Sequence, residues 1–74
     1  MGKMRPVKRR HIVDFLVSKG FHSEGMRGSH EKFVNPDGRR TTVLNYGELW
    51  SKPIGWILED IGSDWKELEQ FLNG

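Results

Sequence analysis

Asn35-Pro36-Asp37-Gly38 is the segment that most restricts how this chain folds. Proline holds φ near roughly −65° and suits the second position of a tight turn. Glycine accepts a positive φ. The runs on either side, Ser29 to Val34 and Arg39 to Leu44, read as strands, the second rich in Thr and Val. Together these features predict a β-hairpin. Upstream, Phe21 to Met26 predicts a weaker strand, broken at Arg27-Gly28.

Helical spacing brackets these strands. A first helix is expected from Lys8 to Lys19, with Ile12, Val13, Leu16 and Phe15 on its apolar face, closed by Gly20. After a loop over 45–51, Ser51 is the expected N-cap of a second helix that tolerates Pro53 in its first turn. Ile54, Ile57, Leu58 and Ile61 fall at i, i+3, i+4 and i+7, and Gly62 ends the stripe. Ser63 is the expected cap of a last short helix, whose apolar face is Trp65, Leu68, Phe71 and Leu72. Residues 1–7 read as a frayed basic lead-in. The 74 residues suffice for one domain, 1–74. The expected class is α+β, order α-β-β-β-α with a short extra C-terminal helix, helices on one sheet face and the other face open.

Composition narrows the chemistry. With no cysteine, the chain has no disulfide framework, no thiolate zinc site and no thiol nucleophile. No apolar run approaches the ~18 residues of a membrane span. The basic N-terminus is not followed by the apolar stretch of a secretory signal, and Pro6 occupies the position where a myristoylation signal has Ser or Thr. A soluble cytoplasmic protein with no membrane partner is expected. There is no phosphate-binding loop and no dinucleotide fingerprint. His11, His22 and His30 lack metal-ligand spacing, so neither a metal nor a small-molecule cofactor is expected. Net charge is +2, but unevenly spread. Residues 1–42 carry ten Lys/Arg against four Asp/Glu, a balance of +6; residues 43–74 carry two against six, a balance of −4. A basic half joined to an acidic half suggests one polyanion-facing surface.

His30 stands in the basic half, between Arg27-Gly28-Ser29 and Lys32. Strand alternation puts His30 and Lys32 on one face and Phe33 on the other, so a core-facing Phe33 leaves the first two in solvent. Gly28 permits close approach of a phosphate. Histidine titrates near neutrality and serves as general acid or base. RNA brings its own nucleophile, the 2′-OH, so an imidazole with flanking cations is a sufficient kit for cleavage. Against this, a lone surface histidine among basic residues is usually only that. Lys8 and Arg9 extend the basic patch, though cations at a helix N-terminus oppose the macrodipole. Trp50, Trp56 and Trp65 lie in the acidic half and are expected in the core or facing a partner rather than stacked on bases.

From Lys8 to Leu72 the chain resembles the HicA-type mRNA interferases, the toxin members of HicAB toxin–antitoxin pairs. The resemblance is carried by Leu16-Val17-Ser18-Lys19-Gly20-Phe21, by Gly28-Ser29-His30 opening a strand, by Pro36-Asp37-Gly38-Arg39-Arg40 with Thr42-Val43, and by Ile57-Leu58 before Gly62. It implies a double-stranded-RNA-binding-domain-like fold and metal-independent cleavage of mRNA by the histidine of the Gly-Ser-His element, here His30. It also implies a HicB-type antitoxin that covers that surface. Arg27, Gly28, Ser29, Lys32, Arg39 and Arg40, with Lys8 and Arg9, are the expected RNA contacts. The chain departs from the family at Val43-Leu44-Asn45-Tyr46, where Val-Pro-x-His is common, and at Lys52-Pro53, where Gly-Thr is. Two other classes are open: an RNA-binding module of the same fold without catalysis, and a protein-interaction domain using the acidic half.

Overall fold

The computed structural model describes residues 5–74. Its elements are β1 (Val7–Lys8), α1 (Arg9–Ser18), β2 (His22–Arg27), β3 (His30–Val34), β4 (Arg40–Leu44), β5 (Glu48–Leu49), α2 (Ser51–Ile61) and α3 (Trp65–Asn73). Strands β2, β3 and β4 form an antiparallel sheet in that order, and β1 pairs with β5 in a separate two-stranded ladder. The molecule is thus a small α+β domain with three helices and antiparallel sheets.

The hairpin forms where its turn chemistry puts it. Gly38 N–H donates to Asn35 O at 2.9 Å and Gly38 takes φ +98°, while the Asn35 and Asp37 side chains accept from the backbone N–H groups of Asp37 and Arg39. This is a tight turn followed by a left-handed glycine. The β2–β3 turn is shorter. Gly28 has φ +60°, Ser29 has negative φ, and Arg27 lies opposite His30, the II′ arrangement that matches strand twist.

One apolar cluster unites the layers. Ile12, Phe15 and Leu16 of α1 and Ile54, Ile57, Leu58 and Ile61 of α2 meet Phe33 and Val43 of the sheet; Leu68 of α3 closes the cluster. Both long helices therefore cover one face of the sheet, and the face bearing His30, Lys32 and Thr42 is open. Thr41, the one buried polar side chain among the described residues, donates to Asp60 Oδ2 at 2.9 Å.

Several expectations change. The lead-in over 1–7 falls partly outside the described residues, at 1–4, and Val7 is not frayed: it pairs with Leu49 and packs on the core. The N-cap of α2 is Trp50, without a side-chain bond, and Ser51 begins the helix. Asp64, not Ser63, caps α3 and accepts from Glu67 N–H at 2.8 Å; a carboxylate also complements the helix dipole. Of the tryptophans expected in the core or facing a partner, Trp65 packs on the core, whereas Trp50 and Trp56 are outside it, 55% and 58% exposed. The start of α1 lacks both a side-chain cap and an acidic residue in its first turn. Gly47 O accepts from Arg9 N–H at 2.9 Å instead.

Candidate nucleic-acid interface

The open sheet face is organised in rows across the strands. Arg27, His30 and Leu44 stand opposite one another, then Gly25, Lys32 and Thr42, then His22, Val34 and Arg40. Directly opposed side chains on one face lie about 5 Å apart at Cβ, so Arg27 is a near neighbour of His30. Lys32 follows His30 on the same strand face at roughly 7 Å. Arg27, His30, Lys32 and Thr42 line one shallow groove together with Gly25 and Glu24. Gly28 and Ser29 form the turn at its end, and Ser29 O accepts from Asn45 N–H at 2.8 Å, which ties the turn to the chain leaving β4. Arg40 is on the same face and shares a second hollow with Lys32.

Three of the expected contacts lie elsewhere. Arg9 belongs to the opposite side of the sheet: its Nη2 pairs with Glu31, and its Nε donates to Leu44 O at 3.0 Å. This resolves the awkward cation at the helix start, because Glu31 and a carbonyl absorb its charge. Arg39 Nη1 donates to Ile61 O at 2.7 Å, closing the end of α2. Lys8 lies in β1, opposite Glu48, away from the His30 groove. Arg27, Gly28, Ser29, His30, Lys32 and Arg40 are what the fold brings to one face.

Beneath the groove, Glu31 is the buried-side neighbour of His30. Its carboxylate accepts from Ser23 Oγ at 2.5 Å and from Arg9, and these bonds, Ser23's first, hold its carboxyl below the usual range. The network joins α1, β2 and β3 directly under the row that carries His30.

Glu24 and Thr42 were not anticipated. Thr42 follows from parity once the register is known. Glu24 follows from a β-bulge: Ser23 opposes Phe33 and Gly25 opposes Lys32, so Glu24 is an extra residue with no opposite number. The signal was Gly25, since glycine inside a strand often marks a bulge. Among the described residues no group of three or more His, Asp or Glu could hold a metal ion, and no helix is long and apolar enough to cross a membrane. No family model matches the chain, and no curated protein matches it either.

Proposed function

We propose that this chain is a metal-independent endoribonuclease of the mRNA-interferase toxin type, with His30 as its acid–base group. Arg27 and Lys32 hold the scissile phosphate and Arg40 extends the backbone contact. The observation that carries the reading is the row of Arg27 and His30 beside Lys32, all three exposed on a sheet face that no element among the described residues covers. Two cations within reach of one imidazole meet the minimal need of 2′-OH attack on phosphorus: a proton acceptor or donor and stabilisation of the phosphorane charge. The turn residues Gly28 and Ser29 add backbone N–H groups at the end of the groove. Further support comes from the order α1-β2-β3-β4-α2 with both helices behind the sheet, which we read as a double-stranded-RNA-binding-domain-like fold. The partners are then mRNA and a HicB-type antitoxin that covers the His30 face, and the place of action is the cytoplasm.

The test is cleavage of a mixed RNA by the purified chain in EDTA, wild type beside His30→Ala. The wild type is expected to cut and the variant to lose about 10²–10⁴-fold in rate, with an unchanged melting temperature because His30 is exposed. Equal cutting by both would falsify the role of His30. RNA bound but uncut by either would assign the chain to a non-catalytic module, with Tyr46 in place of the family's second histidine as the relevant departure.

A further inference from the structure

Glu24 is the one acidic side chain, among the described residues, that lines the His30 groove. Its neighbours there are Arg27, His30 and Lys32. Among the described residues it has no ion-pair partner, whereas Glu31 and Glu67 are taken up by Arg9 and Lys19. The bulge that presents it is held in place. Ser23 Oγ accepts from Gly25 N–H at 3.1 Å and donates to Glu31 Oε2 at 2.5 Å, and Gly25 sits at φ +118°. A bulge re-aims the side chain it carries. A Cβ at Gly25 would have no atom within 4 Å, so the space over this glycine is open.

We propose that Glu24 is the general base of the reaction and His30 the general acid. The inference rests on the reading that this face cleaves RNA. Strand spacing and rise put the two Cα atoms roughly 10 Å apart, and both residues line the same hollow. Glu24 carboxylate takes the proton from the 2′-OH as the 2′-oxygen bonds to phosphorus. The bond from phosphorus to the 5′-oxygen breaks, and the leaving oxygen takes its proton from the His30 imidazolium. The products are a 2′,3′-cyclic phosphate and a 5′-hydroxyl, and no other reactant is needed. Arg27 and Lys32 face both groups and bind the non-bridging oxygens.

The experiment compares wild type, Glu24→Gln and His30→Ala on a 2′-hydroxyl RNA for cleavage, and on the 2′-O-methyl RNA of the same sequence for binding. For Glu24→Gln, cleavage is expected to fall about 10²–10⁴-fold, while the uncleavable RNA binds at least as tightly, one negative charge having left the groove. The wild-type rate should be bell-shaped in pH, and Glu24→Gln should lose the acid-side limb, a change that a merely structural role would not produce. Wild-type cutting with Glu24→Gln equally fast overturns the role of Glu24 and leaves that of His30 standing. No cutting by the wild type overturns both.

Discussion

Glu31 follows His30 in the chain and points to the opposite side of the sheet, where Arg9 and Ser23 bind its carboxylate. Because the folded state holds its carboxyl low, this contribution to stability is fully present above the unfolded value, near 4.5, and is lost as pH falls through the lower folded one. Glu31→Gln is therefore expected to lower stability by about 1 kcal/mol at pH 7, a drop in Tm of about 4–8 °C for a domain of this size. The gap between variant and wild type should close as pH is taken down through the acid range; thermal melts at several pH values check it. A gap that persists at the lowest pH would mean that packing, not charge, is what the substitution removes. His30 and Glu24, one and seven residues away, have no such partners among the described residues.

At the scale of elements, the Asn35–Arg39 turn does more than reverse the chain. Asn35 Nδ2 donates to Lys19 O at 2.9 Å at the end of α1, and Arg39 Nη1 donates to Ile61 O at the end of α2. Each helix ends on a left-handed glycine, Gly20 at φ +96° and Gly62 at φ +73°, and leaves a carbonyl that one turn residue satisfies. Gly20→Ala would force an L-residue into that region and bring its Cβ to 3.1 Å from Asn35 Nδ2. We expect a loss of about 1–2 kcal/mol, read by chemical denaturation. Arg39 and Arg40 should separate cleanly. Arg39→Ala is expected to lower stability by about 1 kcal/mol with little effect on RNA affinity. Arg40→Ala is expected to weaken RNA binding and reduce its salt dependence while leaving the melt unchanged. Anisotropy titrations at two salt concentrations distinguish them; equal losses of affinity would place Arg39 in the interface.

For the whole molecule, the decisive arrangement is one core behind the sheet and, among the described residues, none in front. Phe33 is 2% exposed while its neighbour Lys32 is in solvent. A chain this short has little stability in reserve, on the order of 5 kcal/mol. Phe33→Ala removes about 3–5 kcal/mol and is expected to leave much of the protein unfolded at 37 °C, whereas Lys32→Ala leaves the melt in place and lowers RNA binding. Circular dichroism melts of the two variants check this, and a cooperative wild-type-like melt for Phe33→Ala would refute the single-core account. Trp50, Trp56 and Tyr46 remain more than half exposed, outside both the core and the His30 groove.

The hairpin turn, the glycine-closed helix ends, the stripe from Ile54 to Ile61 and the opposite facing of Lys32 and Phe33 were all legible in the sequence. They depend on φ/ψ preferences and on periods of 2 and 3.6, which are properties of a few consecutive residues. Long-range pairing was not legible. Val7 reads as lead-in until Leu49 lies beside it, and Arg9 reads as a free cation until Glu31, 22 residues on, takes it. Glu24 reads as an ordinary strand residue until the register slips by one. Only the tertiary structure decides which of several equivalent-looking charges are consumed by the fold and which are left for a ligand. Proximity between residues distant in the chain is set by packing, and no local preference encodes it.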